Sequence, residues 1–126
     1  MTLGAPERPM EPPERLAVGD WDDPVNVEQA YDGIERRVLC TDGEVMMVHY
    51  TVEESAVFPE HEHDETRQTV YVVKGAVELF GDYQRRLEAG DSFLVGPGVR
   101  HGVRGAVEHT ELVDTFSPPI EEYAEK

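Results

Sequence analysis

The chain has 126 residues, of which 27 are Asp or Glu and 11 are Lys or Arg, so its formal net charge is −16. This length predicts one domain with a core large enough to fold without disulfide or metal support. The apolar content of 39% is typical of an ordered globular protein. The strongly negative surface disfavours binding to nucleic acids and to anionic membranes.

Cysteine content and charge type indicate the setting in which the protein works. Cys40 is the single cysteine, which excludes an intrachain disulfide and favours a reducing, cytoplasmic location. No apolar run is long enough to cross a bilayer, and the acidic N-terminus lacks the basic start and apolar stretch of a signal peptide. Lys74 and Lys126 are the only lysines. Many carboxylates with little lysine are typical of a halophile-like protein, because a salt-rich cytoplasm screens self-repulsion; an ordinary acidic surface is the alternative.

Turn residues divide the chain into short segments. Residues 1–20 hold four prolines among charges and are predicted to form a mobile, extended N-terminal arm. Residues 21–120 are predicted to form the domain, and residues 121–126 a C-terminal tail that could form a short helix. The apolar runs of the domain are IERRVLC, VMMVHYTV, TVYVV, AVELF, YQRRL, SFLV and VEHTELVDTF. None has a helical period, so many short strands indicate an all-β sandwich or barrel.

Histidine spacing indicates a metal site. On an extended backbone, residues two apart point to one face with Cβ atoms roughly 6–7 Å apart, so the imidazoles of His61 and His63 can converge on one ion. Gln68 begins the next strand, and His101 follows a turn at residues 96–98 that could direct it inward. Imidazoles with an amide oxygen suit Zn, Cu, Ni or Fe. Because these ligands are neutral, a bound ion would remain a strong Lewis acid.

A different interpretation applies to histidines inside strands. His49 and His109 lie within apolar runs, where a histidine is more often a surface or hydrogen-bonded core residue than a ligand. From spacing alone, that interpretation also remains open for the other three.

The pattern around His61 resembles the first motif of the cupin superfamily. His61 and His63 match its H-x-H, Gln68 stands in the place of its glutamate, and Gly75 follows after six residues. Ser55 stands where the family has a glycine. Replacing glutamate by glutamine keeps an oxygen ligand but removes a negative charge, so the resemblance implies weaker metal binding than at a His-His-Glu-His site.

A second stretch resembles the second cupin motif. Gly90 is followed by Gly96 in the place of a proline, then by Gly98 and His101, and Gly105 stands where an asparagine is common. The resemblance spans about residues 25–116. It implies a small single-domain cupin β-barrel, a jelly roll or double-stranded β-helix, that is a homodimer. The implied metal ligands are His61, His63, Gln68 and His101.

A narrower resemblance concerns the C-terminal strand. Asp114, Phe116 and Ser117-Pro118-Pro119 are similar to a D-x-F-S-P-P run in small cupins of pectin and alginate breakdown. Those proteins convert cyclic 4,5-unsaturated monouronates to open-chain 4-deoxy-5-keto-uronates at a His-His-Gln-His site. Where they often have an arginine, this chain has Ile120, which puts recognition of the substrate carboxylate in question. The candidate substitutes are Arg67, Arg100 and Arg104.

This resemblance implies a metal-dependent enzyme acting on an anionic sugar acid with one divalent Zn, Ni, Mn or Fe ion. Asp114 and Phe116 share a strand face, and burial would raise the pKa of Asp114 and suit it to proton transfer. Phe116 could form a wall against the sugar ring. Alternatively, Asp114 caps the Ser117 turn at the rim and Phe116 belongs only to the core.

Three other functions are compatible with these motifs. One is a quercetinase-type cupin dioxygenase, which needs a redox metal and access for O2. Another is an isomerase or lyase acting on a different small acid or sugar. The third is a non-enzymatic barrel that binds a small ligand.

Overall fold

A computed structural model of the protein describes residues 14–126. Apart from one C-terminal turn, its regular secondary structure is entirely β-strand, which confirms the all-β prediction. The predicted N-terminal arm lies mostly outside the described residues, and residues 14–20 are exposed. Within the described part of the chain, no helix is long and apolar enough to span a membrane.

The described residues form ten strands and one 3₁₀ turn. In chain order these are β1 Asn26–Tyr31, β2 Ile34–Thr41, β3 Met46–Glu53, β4 Val57–His61, β5 Arg67–Lys74, β6 Ala76–Gly81, β7 Arg85–Glu88, β8 Ser92–Val95, β9 His101–Gly105, β10 His109–Ser117 and the 3₁₀ turn Glu121–Ala124. The strands make two antiparallel sheets. The larger has the order β1-β2-β3-β10-β5-β8 and the smaller the order β4-β9-β6-β7.

The core lies between the two sheets because each strand alternates apolar and polar side chains. In β10, residues 110, 112, 114 and 116 are buried, whereas their neighbours are partly or fully exposed. Val38, Val48 and Val72 from the larger sheet pack with Val77 from the smaller one, and all four are fully buried. Burial of each such side chain contributes roughly 1.5–3 kcal/mol to the stability of the fold. This energy fixes which of the alternating side chains point inward, and so which residues can line an interior site.

Gly75 takes the chain from the larger sheet into the smaller one. Its φ of +83° lies in the left-handed region that residues with a Cβ rarely adopt. A Cβ here would lie 2.4 Å from both the carbonyl oxygen of His109 and the hydroxyl of Thr110. That hydroxyl accepts a bond from the N–H of Ala76 and donates one to its C=O, so the crossing between the sheets is tightly packed.

Two strands that hold candidate ligands are absent from the sequence prediction. β4 contains Pro59 and Glu60, and β9 contains Gly102 and Gly105, residues that interrupt the usual strand signal. The strands nevertheless pair with each other, and His61 lies opposite His101 in their register. His61 and His101 are therefore paired residues on adjacent strands.

Candidate metal centre

Three histidines from two parts of the chain meet at one edge of the smaller sheet. His61 ends β4, His63 follows two residues later, and His101 begins β9. One ring nitrogen of each lies within 4.8 Å of the others. The ring centroids of His61 and His101 are 4.2 Å apart, and those of His61 and His63 are 4.9 Å apart. This spacing allows all three imidazoles to bind one ion.

Backbone carbonyls fix the orientation of two of these rings. Nδ1 of His61 is 2.8 Å from the carbonyl oxygen of Pro59, and Nδ1 of His101 is 3.0 Å from that of Val99. A carbonyl oxygen can only accept, so in both rings Nδ1 carries the hydrogen. Nε2 then keeps its lone pair, which is the arrangement that metal-binding histidines use.

Burial favours the neutral form of the same rings. It lowers the pKa of His61 from 6.5 to about 4, against the opposing hydrogen bond to Pro59 and with smaller lowering contributions from His101 and His63. Burial also lowers the pKa of His101. Neutral imidazole is the form that binds metal, so near neutral pH these ligands need not lose a proton first.

The Gln68 amide joins the histidines to a buried carboxyl group. Its Oε1 lies 3.1 Å from Nε2 of His63 and 3.0 Å from Nε2 of His101. Its Nε2 donates to Oδ2 of Asp114 at 2.9 Å. Since the Nδ1 atom of His101 carries the hydrogen, two acceptors face each other between His101 and Gln68. A cation bound to both satisfies them, so this donor set fits a divalent ion.

Asp114 lies deep in the interior on β10. Its ladder partners are Val48 on β3 and Val70 on β5, and the residue is 3% exposed. Desolvation raises the pKa of Asp114 from 3.8 to about 8, against the opposing hydrogen bond from Gln68. The alternative position at the rim, capping the Ser117 turn, is therefore wrong. A carboxyl group in this environment can exist in either protonation state near neutral pH.

Phe116 is fully buried and also borders the histidines. Its ring packs edge-on against those of His63 and Tyr123, with centroids 6.2 Å and 5.7 Å away. It is a member of the central hydrophobic cluster. The core interpretation of Phe116 therefore holds, and the same ring also limits the space beside His63.

A narrow cavity leads inward from the histidines. Its volume is about 20 Å³, and a water molecule needs about 10–15 Å³ of comparable space. Its walls are mainly apolar side chains of both sheets. The titratable and amide residues that line it are Tyr50, His61, Gln68, His101 and Asp114. The enclosed part therefore holds one oxygen-sized group, and a larger ligand must extend towards the partly exposed His61 and His63.

The structure contains no guanidinium at position 120. Ile120 is partly buried and packs against the core. The three arginines considered as substitutes, Arg67, Arg100 and Arg104, are exposed, and Arg100 lies 3.7 Å from a carboxylate oxygen of Glu60. Among the described residues, the arginine buried in the barrel is instead Arg36, whose guanidinium stacks on the ring of Tyr123 at 3.6 Å.

The remaining two histidines lie away from this centre. His49 and His109 each contact the Glu111 carboxylate through Nε2, at 2.9 Å and 3.1 Å. These bonds lower the pKa of Glu111, the one from His109 most strongly. Their interpretation as hydrogen-bonded residues agrees with this arrangement.

Sequence reasoning missed Tyr50, which lines the cavity together with candidate metal ligands. The run VMMVHYTV indicates a core strand, and the phenol ring is indeed part of the hydrophobic core. The available signal was the hydroxyl itself, because a buried tyrosine usually needs a hydrogen-bond partner.

The chain is similar in sequence to proteins of known family. Residues 48–116 match the family described as the cupin domain. The chain is 34% identical over 98 residues to the pectin degradation protein KdgF of Dickeya dadantii (strain 3937), covering 77% of this chain and 89% of that protein.

Solved structures show the same similarity. The structure of KdgF from a Halomonas species has a TM-score of 0.73 and 28% identity, covering 77% of this chain and 89% of the other. An RmlC-like cupin from Shewanella frigidimarina has a TM-score of 0.76 and 32% identity, covering 84% of this chain and 94% of the other. Both alignments extend over most of the described barrel.

Proposed function

This chain belongs to the cupin family, and on that premise we propose that it is a metal-dependent enzyme of uronate breakdown. The proposed reaction opens a cyclic 4,5-unsaturated monouronate and tautomerises it to a 4-deoxy-5-keto-uronate. The observation that carries the proposal is the hydrogen bond from Gln68 to the buried Asp114 beside three convergent histidines. The similarity to the pectin degradation protein KdgF supports the substrate class.

The proposed ion is one divalent Zn, Ni, Mn or Fe. Its ligands would be His61, His63, Gln68 and His101. When bound, the ion supplies Lewis acidity to a substrate oxygen. The isomerisation involves no net oxidation, so no redox change is required of the ion.

Asp114 is the proposed proton carrier. As a carboxylate it takes the proton of the substrate's C1 hydroxyl, and the bond from C1 to the ring oxygen breaks. The electron pair of that bond goes to the ring oxygen, which becomes the oxygen of an enolate at C5. The protonated Asp114 then returns its proton to C4, and the enolate becomes a ketone. The substrate and product are isomers, so atoms and electrons balance.

The surroundings of Asp114 suit this role. A raised pKa of about 8 lets the group accept and return a proton near neutral pH. The Gln68 amide donates to one carboxyl oxygen, which leaves the other oxygen free to face the cavity. Phe116 borders the space beside His63 and would exclude water from the enol.

The first experiment measures the metal content of the purified protein and of a His61→Ala, His101→Ala double variant. A matched control is His109→Ala, because His109 is a histidine outside the centre that contacts Glu111. We expect one equivalent of metal in the wild type and the control, and none in the double variant. Turnover is then followed with unsaturated monouronate, whose conjugated double bond absorbs in the ultraviolet until the ketone forms.

Two results would contradict this function. If the wild type binds no more metal than the double variant after addition of Zn²⁺ or Ni²⁺, the Lewis-acid mechanism is wrong. If the wild type holds metal but leaves the ultraviolet absorbance of the uronate unchanged, the substrate assignment is wrong.

The narrow cavity favours a second candidate, a barrel that binds a small ligand without turnover. Its volume of about 20 Å³ leaves little enclosed space for a monosaccharide, and less for a three-ring flavonol of a quercetinase. Calorimetry with the uronate, together with an assay for product on the metal-loaded protein, distinguishes the candidates. Binding without product formation supports the binding barrel, whereas oxygen uptake with a flavonol supports the dioxygenase.

A further inference from the structure

Three buried polar atoms on the inner face of the larger sheet have no hydrogen-bond partner among the described residues. They are Nε of Arg36, Oη of Tyr50 and Oδ1 of Asp114. Buried polar groups are nearly always paired, because an unpaired one costs about 1–3 kcal/mol. An unpaired group in a cavity beside a candidate active centre therefore suggests a ligand that pairs with it.

The strand register places these side chains in one row. Arg36 on β2 lies opposite Tyr50 on β3, and Tyr50 lies opposite Leu112 on β10. Asp114 is two residues beyond Leu112 and so faces the same side. Tyr50 is 2% exposed and Asp114 is 3% exposed, so bulk solvent does not reach either side chain.

The cavity brings Tyr50 and Asp114 together with the candidate metal ligands. Both residues line the same space of about 20 Å³, along with His61, Gln68 and His101. That space is sufficient for one oxygen atom with its hydrogen. One oxygen in this position would lie among a phenol, a carboxyl group and the open side of the histidine cluster.

The Arg36 guanidinium limits which groups can accept the phenol hydrogen of Tyr50. The Arg36 guanidinium has only donor groups and cannot accept the phenol hydrogen. It is held in place by the Glu28 carboxylate and by stacking on the Tyr123 ring. The phenol hydrogen therefore needs an acceptor other than Arg36, and an oxygen atom in the cavity that Tyr50 lines can accept it.

We propose that Tyr50 is a second catalytic residue, whose hydroxyl donates a hydrogen bond to the substrate ring oxygen when that oxygen is held at the mouth of the cavity, facing Asp114. This inference rests on the proposed function. As the bond from C1 to the ring oxygen breaks, negative charge develops on that oxygen, and the Tyr50 donor stabilises the resulting enolate. The Tyr50 proton stays on the phenol, so the proton transfer still proceeds from the C1 hydroxyl through Asp114 to C4.

The expected effect is on turnover more than on binding. A donor aimed at an oxygen that becomes charged strengthens its bond in the transition state. Removing one such donor lowers kcat by roughly 100-fold. KM should change little, because the neutral ring oxygen of the bound substrate is a weaker acceptor than the enolate.

The test is the Tyr50→Phe variant, with Tyr31→Phe as the matched control. Both tyrosine rings pack edge-on against Phe58, with centroids 5.6 Å and 5.0 Å away, but Tyr31 is exposed. Loss of an unpaired buried hydroxyl does not weaken the fold, so Tyr50→Phe should keep the wild-type melting temperature or exceed it. Metal content, melting temperature, kcat and KM are measured for all three proteins.

We expect Tyr50→Phe to keep its metal and its stability and to lose roughly 100-fold in kcat, while Tyr31→Phe behaves as wild type. If Tyr50→Phe retains the wild-type kcat in an active enzyme, the role of Tyr50 is wrong and the proposed function stands. Loss of metal or a lower melting temperature in Tyr50→Phe would show a structural role instead. A metal-loaded wild type without turnover of the uronate overturns both proposals.

Discussion

Replacement of Asp114 by Asn tests the physical state of the buried carboxyl group in the metal-free protein. Asparagine retains the shape of the side chain and can still accept the hydrogen bond that Gln68 donates at 2.9 Å. The variant therefore removes the ionisable group while preserving its packing, and its stability should no longer depend on the protonation of this position.

The sign of the effect follows from the raised pKa of Asp114. Its value is about 8 in the folded protein against an ordinary 3.8, so the folded state disfavours the carboxylate. Below pH 3.8 the group is protonated in both states and costs nothing. Above that pH, the wild type loses about 1.4 kcal/mol per pH unit until the pH reaches the folded-state pKa. At pH 7 the accumulated loss is about 4 kcal/mol.

The assay is urea unfolding of wild type and Asp114→Asn in the presence of a chelator, between pH 4 and pH 8. Asp64→Asn, at an exposed aspartate near the histidines, is the control. The advantage of Asp114→Asn over wild type should grow with pH, whereas that of Asp64→Asn should stay flat. A constant difference between Asp114→Asn and wild type across this range would refute the reasoning. The variant should also lose uronate turnover, because asparagine cannot carry the proton.

Two further predictions concern the crossing between the sheets and the amide ligand. Gly75→Ala should destabilise the protein by about 3 kcal/mol or more, because the added Cβ would lie 2.4 Å from a backbone oxygen. The control is Gly98→Ala, because Gly98 has almost the same φ as Gly75, +82° against +83°, but open space where the Cβ would be. This variant should lose about 1 kcal/mol of unfolding free energy. Equal losses for the two variants in urea unfolding would contradict the packing argument. Gln68→Glu should bind Zn²⁺ more tightly in a chelator competition, because the ligand becomes negative. It should also lower kcat, because a negative charge at position 68 raises the pKa of Asp114 further, so that Asp114 stays protonated and cannot take a proton from the substrate. Weaker Zn²⁺ binding would contradict this prediction and show that repulsion between the two carboxyl groups dominates.

The candidate ligands could be predicted from local sequence, whereas two of the strands that hold them could not. His61 and His63 are two residues apart, so their convergence depends mainly on an extended backbone. The turn before His101 is marked by Gly98, whose positive φ favours glycine and whose N–H donates to the carbonyl of His63. β4 and β9 were missed because Pro59 and the glycines of β9 obscure the usual alternation.

The sequence by itself determined the all-β class, the division into short strands and the spacing of the histidines, because these depend on side-chain periodicity and turn residues along the chain. Tertiary structure decided which distant groups meet. The hydrogen bond between Gln68 and Asp114 joins residues 46 positions apart, and the pairing of His61 with His101 depends on the register of β4 and β9. Burial of Tyr50 and Asp114 around one small cavity likewise requires both sheets to close over it. Their desolvation, and hence their chemistry, is a property of the packed barrel.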